Sequence, residues 1–229
     1  MVIDCHLHTT RYSPCSNLSP YEACSISHKR GLDSIVITEH QIQWNKKEIK
    51  ELQRDFPGIK IYSGLEVTLR EGIDLVIITK NLGLNIPFMI SFNELLELKE
   101  FDIQNSFVFV AHLFRWNKEL SHEIEGIFPH IHGIEMNSIN ILLSGHKKDP
   151  EGRFLPKDLP LYKRVQKKWN LRPMFNTDSH NSLVAGSIAN NIKTTHIPDD
   201  EEELVSVLKK NIPLEFQHSN ILKDILNRF

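Results

Sequence analysis

Short apolar runs rich in Val, Ile and Thr alternate with stretches of helical periodicity along the chain. Residues 2–6 read as a first strand. Ser19, Pro20 and Glu22 then open a helix with an N-cap, a first-turn proline and the Glu of a capping box. Gly31 ends that helix, with Lys29 and Arg30 in its last turn. The run 34–38 is a buried strand, 46–56 a helix stopped by Pro57-Gly58, and 59–63 and 74–79 are further strands. Ser91 caps a helix reaching about Glu100. Buried strands follow at 107–111 and 133–136, a helix at 161–170 and a last core strand at 173–176. A short segment at 188–196 precedes a helix that starts on the acidic residues 199–203 and runs to Lys210. Residues 144–160, charged and rich in Pro and Gly, form the one long loop, and such loops tend to be functional.

Strands alternating with helices predict parallel strands joined by right-handed crossovers. Residues able to hold metals recur at or just past the strand ends: His6 and His8, His40 after Thr38-Glu39, Glu66 after Gly64-Leu65, His112 after Ala111, and Asp178 with His180. On a strand, positions i and i+2 share a face, so His6 and His8 present two imidazoles side by side and Cys5 and Leu7 face the other way. A lone His-x-His is as readily an ordinary strand as a ligand pair. Packing does not explain its recurrence with Glu and Asp at strand ends. In an open sheet the two edges cannot share one small site, whereas the strand C-termini of a closed barrel face one mouth. The expected fold is therefore α/β, a TIM-like β/α barrel spanning residues 1–229 as one domain, with the site at the C-terminal mouth.

A chain of 229 residues suits one such domain, and 40% apolar with 24% charged residues is ordinary for a globular protein. A net charge of −2 argues against a strongly basic nucleic-acid surface. No apolar run approaches membrane-span length and no signal peptide precedes the first strand, so the expectation is a cytoplasmic protein with no membrane partner. Cys5, Cys15 and Cys24 are odd in number and crowded at one end, unlike a disulfide framework. Cys5 is expected as an apolar filler, Cys24 as a buried helix residue and Cys15 in a turn.

The motifs Asp4-x-His6-x-His8, Thr38-Glu39-His40, Gly64-x-Glu66, Ala111-His112-Leu113 and Asp178-x-His180 resemble, in order and spacing, those of the PHP (polymerase and histidinol phosphatase) domain family. The stretch from Gly31 to His40 is especially like that family's second motif, and the likeness spans roughly residues 1–195, so no fused polymerase domain is expected. The resemblance implies a distorted seven-stranded barrel and phosphoester hydrolysis by two or three metal ions. It also implies a ligand set. His6, His8 and Asp178 would bind a first metal, and Glu66 would bridge it to a second held by His112. His40 and His180 would hold a third. Imidazole and carboxylate donors suit Zn, Mn or Fe. Two positions depart from the family pattern. The turn from Arg11 to Ser16 has no carboxylate or imidazole, so Cys15 is its nearest candidate ligand, against a packing role. Asp74 stands where relatives often carry His and remains a candidate second-metal ligand.

The implied function is hydrolysis of a small phosphorylated substrate, a phosphomonoester or phosphodiester, by metal-activated water. Arg115 would pair with phosphate oxygens, and a protonated His180 could assist the leaving group if the third metal is absent. Arg11 and Lys147-Lys148 are weaker phosphate candidates. Asn137 could line the mouth, Glu135 would face a structural partner, and Glu39 could orient a ligand. His146, on the long loop, could fold over the mouth. Alternatives are a nuclease acting on single-stranded ends, with short nucleic acid as partner, a non-catalytic metal-binding PHP module, and an amidohydrolase. Oligomeric state is not legible.

Overall fold

The computed structural model describes residues 1–115 and 118–228. Its elements run β1 (Val2–Leu7), α1 (Pro20–Lys29), β2 (Ser34–His40), α2 (Lys46–Asp55), β3 (Lys60–Thr68), β4 (Asp74–Ile78), α3 (Phe92–Leu96) and β5 (Phe107–Ala111). There follow α4 (His122–Ile127), β6 (Gly133–Asn137), α5 (Ile139–Leu143), β7 (His146–Lys148), β8 (Phe154–Pro156), α6 (Leu159–Lys168) and β9 (Arg172–Phe175). The chain closes with β10 (Ile188–Asn191), α7 (Glu201–Lys210), β11 (Leu214–Gln217) and α8 (Ser219–Leu226). Among the described residues the main sheet has nine strands, in the order β11-β10-β1-β2-β3-β4-β5-β6-β9, curled into a nearly closed barrel.

The observed fold differs from the expected one in four respects. The sheet has nine strands rather than seven, because residues 188–191 and 214–217 add β10 and β11 beside β1. Nor is it wholly parallel. β4 runs antiparallel to both β3 and β5, and β10 antiparallel to β1. The link 69–73 between β3 and β4 is too short for a crossover helix, so the chain must turn back as a hairpin. The 144–160 stretch holds a small antiparallel hairpin, β7 with β8. The helix capped by Ser91 stops at Leu96 rather than near Glu100.

Capping follows the residues. Ser19–Glu22, Asn45–Glu48 and Ser91–Glu94 all form reciprocal capping boxes, satisfying helix N–H groups that would otherwise lack partners. One apolar layer, including Ile35, Ile37 and Ile61, packs under α1 and α2. A second, including Val67, Val110 and Ile134, packs under α3, α4 and α6. Ile3, Val36, Tyr62, Phe109 and Met174 form a third cluster, closed by Leu204 and Leu208 of α7.

β1 departs from simple alternation. Its pairing with β2 shifts register between Asp4 and Leu7. Cys5 consequently joins Phe109 and Met174, whereas Leu7 packs with Ala23 and Cys24 of α1. The two were expected on one face, and a bulge of this kind re-aims the side chains that follow it.

Between β1 and the segment after β9 the barrel is closed by an isolated parallel bridge, Leu7 with Ser179, and by side chains around it. Asn190 on β10 accepts from Phe175 N at 2.9 Å and donates to Phe175 O at 2.8 Å, bridging to β9. Its amide also donates to Asn176 Oδ1, which accepts from Cys5 N as well. Asp4 accepts from Thr177 N at 3.1 Å and from the Thr177 hydroxyl. Burial pushes the Asp4 carboxyl up to about 7, against those hydrogen bonds.

Candidate metal centre

The strand ends deliver seven candidate ligands to one point. His6 and His8 leave β1, His40 ends β2, Glu66 lies on β3, His112 follows β5, and Asp178 and His180 follow β9. Gly64 makes room for this arrangement, since a Cβ there would sit 2.8 Å from Ile77 O on the hairpin partner. Two of the seven sit in left-handed backbone, His112 at φ +26 and Asp178 at φ +51. Such conformations are costly for non-glycine residues and persist where surrounding bonds enforce them. Here His112 N donates to Glu135 Oε2 at 3.1 Å, and Asp178 N to His6 O at 2.8 Å.

The donor atoms converge. His6 Nε2 and His8 Nε2 are 3.1 Å apart, and each lies 3.3 Å from one Glu66 oxygen and 3.5 Å from Asp178 Oδ1. His112 Nε2 is 3.2 Å from Glu66 Oε1 and 3.6 Å from Asp178 Oδ2, and His40 Nδ1 is 3.0 Å from Glu66 Oε2. Ligands bonded at roughly 2.0–2.1 Å to one ion are separated by about 2.9–3.4 Å in octahedral or tetrahedral geometry. The contacts among the histidines and Glu66, 3.0–3.3 Å, fall in that range, and those to Asp178, 3.5–3.6 Å, lie just beyond it. Three groups bring their ligand atoms within 4.8 Å of one another and could hold a metal ion: His6 with His8 and Asp178, His6 with Glu66 and His112, and His8 with His40 and His180.

The electrostatics of the protein alone are strained. Burial would raise the Glu66 carboxyl, but His6, His112 and His40 hold it well below the usual range. Asp178 is likewise depressed, despite its burial, by His6, His8 and His112. Burial drives His8 down to about 4, while Glu66 and Asp178 overcome burial to lift His112 to about 9. Without ions, protons on His6, His112 and His40, which the carboxylates favour, would balance the two buried carboxylates, and His8 would not contribute. Divalent ions would take over that balancing and expel the protons, so metal affinity should rise with pH.

Polar groups from several elements hold the ligands in place. Glu135 Oε1 is 3.1 Å from His6 Nδ1 and also accepts from Asn176. Ser13 Oγ lies 3.3 Å from His8 Nδ1 and donates to Glu39, which also accepts from Thr9 N and Trp44 Nε1. Glu39 thus reaches His8 only through Ser13. The Asn140 amide donates to Asp178. Neither Ser13 nor Asn140 carries a sequence signal. Glu135 was expected to face a structural partner, and that partner is a candidate ligand.

A cavity of about 420 Å³ opens over the cluster and includes Cys15, Asp74 and Arg115 in its lining. Cys15 is exposed there and belongs to none of the three groups, whose third member at the outer position is His8. Asp74 Oδ2 faces His112 Nδ1 at 3.9 Å, on the ring edge opposite the atom that meets Glu66. Asn137 does not line the mouth. It is buried and donates to Phe154 O and Glu215 instead. Arg11 pairs with Glu48 at 2.8 Å, His146 turns back onto Leu142 O, and Lys147 and Lys148 lie on β7 outside the cavity lining.

No protein-family model and no curated protein matches the chain. Solved structures do. PsfC from Pseudomonas syringae superposes with a TM-score of 0.66 over 99% of this chain and 96% of its own, at 16% identity. A two-domain Bacteroides vulgatus protein containing a predicted PHP-like metal-dependent phosphoesterase gives 0.64 at 16% identity, over 95% of this chain and 65% of that one. A Chromobacterium violaceum amidohydrolase solved with sulfate and no metal gives 0.52 at 14% identity, over 86% of this chain and 92% of its own. The chain therefore has the fold of the PHP-like phosphoesterases. At such identities the likeness carries the fold alone. Among the described residues no helix is long and apolar enough to cross a membrane.

Proposed function

We propose that the protein is a metal-dependent phosphoesterase that hydrolyses a small phosphorylated substrate. The observation that carries this reading is the meeting of His6, His8, Glu66, His112 and Asp178 at coordination spacing on the floor of a small cavity. Glu66 is suited to serve two ions at once, because Oε1 faces His6 and His112 while Oε2 faces His8 and His40. His40 and His180, with His8, complete a third position nearer solvent. Divalent ions bound here would supply Lewis acidity and a water of lowered pKa, the usual route to phosphoester hydrolysis at neutral pH.

The chain's own groups do the rest. Arg115 in the cavity wall offers a planar guanidinium to the phosphate oxygens, where charge grows in the transition state. His180 Nδ1 faces Asp178 O at 3.2 Å. That contact, with Nδ1 donating, leaves Nε2 available to hand a proton to the departing oxygen when no third ion is held. Asn140 fixes Asp178, and Glu135 fixes His6, so the ligands need little rearrangement on loading. Asp74 supports the second position, either as a ligand or by orienting His112.

The test is a panel of phosphomonoesters, phosphodiesters and oligonucleotides on metal-depleted protein, with Zn, Mn and Fe added back singly. Hydrolysis of small esters that depends on an added metal is expected. Metal-loaded protein that cleaves no phosphoester overturns the reading.

A further inference from the structure

The cavity lining holds two unlike sets of residues. One is the ligand cluster. The other is apolar, built by Ile139 and Leu143 of α5 and by Val184. Ile139 and Val184 are each 5% exposed and belong to the cluster that α8 closes. Leu143 is different. It is 42% exposed and lies outside that cluster, although its neighbour Leu142 is fully buried within it. Core packing therefore does not call for a leucine at 143. Its position is nevertheless well fixed, because Ser138 caps α5 and Asn140 of the same helix is hydrogen-bonded to Asp178. Concave sites bury the apolar part of a ligand against such a wall while a few polar groups set its orientation. Charge narrows the ligand further. Among the described residues Arg115 is the sole Lys or Arg in the lining. Beyond the ions the ligand cluster would hold, a single guanidinium suits a single phosphate, whereas chains of phosphates are met by further cations along their length.

Resting on the hydrolase reading, we propose that the substrate is a small ester with a single phosphate whose leaving group presents a compact apolar face. An alkyl or aryl alcohol fits this description, and a polyol or nucleotide does not. The apolar face packs on Leu143 with Ile139 and Val184 behind it. Asn181, exposed on the same lining, receives the polar end of the leaving group. A cavity of about 420 Å³ holds a phosphate with a ring-sized group.

The test pairs binding with turnover on metal-loaded protein. Calorimetry compares phenylphosphonate with methylphosphonate, and kinetics compare phenyl phosphate with glycerol phosphate. The phenyl compound should bind about tenfold tighter or more, as burial of a ring face on an apolar wall predicts. Leu143→Asp should shrink that ratio to about twofold and Leu143→Met should keep it, as expected if apolar area sets the preference. Because Leu143 lies outside the core, both variants should melt like the unmodified protein. Equal binding of the two phosphonates, a preference that survives Leu143→Asp, or faster turnover of a dinucleotide than of phenyl phosphate overturns the proposal. If neither phosphate is hydrolysed yet phenylphosphonate binding still depends on Leu143, the hydrolase reading fails and the apolar wall stands. If both are hydrolysed equally and Leu143→Asp changes nothing, the wall fails and hydrolysis stands.

Discussion

Glu135 holds the ring of His6. Its Oε1 lies 3.1 Å from Nδ1, while Nε2 of the same ring faces His8, Glu66 and Asp178. Through Oε2 it also accepts from His112 N, so one carboxylate on β6 fixes two candidate ligands from β1 and the end of β5. A carboxylate behind a metal-binding imidazole sets its tautomer and raises its basicity. Glu135→Gln keeps the shape and removes the charge. It should lower metal affinity about 10–100-fold, as such partners typically do, in a competition titration against a chelator. Affinity equal to that of the unmodified protein would mean that Glu135 is only structural.

Glu66 is the shared ligand in this arrangement. Glu66→Ala should lose more metal, counted by elemental analysis after loading, than any single histidine change, because its two oxygens face different donors. His6→Ala and Asp178→Ala should each abolish hydrolysis with the fold retained. Greater depletion by His112→Ala than by Glu66→Ala would remove the bridging role.

Cys15 lines the cavity but stands outside the ligand groups, where His8 joins His40 and His180. Cys15→Ser should therefore leave the metal count unchanged, and bound zinc should not block alkylation of Cys15. Loss of one equivalent in the variant would instead make the thiolate a ligand, as the sequence pattern allowed.

Asn190 reinforces the barrel seam beside the backbone bonds from His8 N to Ser179 O and from Asp178 N to His6 O. Its side chain makes four hydrogen bonds, to Ile3, Asn176 and both backbone groups of Phe175. Asn190→Ala would strand buried donors and acceptors, and should cost about 2–4 kcal/mol in urea unfolding. A cost within experimental error would show that strand packing alone closes the seam.

His132 gives a pH signature away from the metal centre. Burial, with Lys209 and Arg172 adding to it, lowers its pKa from 6.5 to about 4, and Nδ1 accepts from Val108 N. A group whose folded pKa is depressed binds more protons unfolded. Its contribution is thus complete above pH 6.5 and is lost as pH falls toward 4. His132→Asn should flatten that part of the stability profile relative to the unmodified protein. Identical slopes would contradict the assignment.

Much of the candidate site was local in sequence and therefore legible there. His6-x-His8, Glu66 behind Gly64, His112 and Asp178-x-His180 each end an apolar run, and a strand end is where a side chain leaves the core for the mouth. Helix starts were legible for the same reason, since Ser19, Ser91 and their Glu partners lie within one turn. Strand direction was not. An apolar run reads alike whichever way it runs, and only the short 69–73 link, seen against its neighbours, makes β4 antiparallel. The bulge in β1 depends on pairing with β2, so it placed Cys5 beside Phe109 against the simple alternation. The roles of Glu135, Asn140 and Asn190 were decided by tertiary structure alone. Each meets partners from distant segments, and no local pattern encodes a contact that exists only once the barrel has curled.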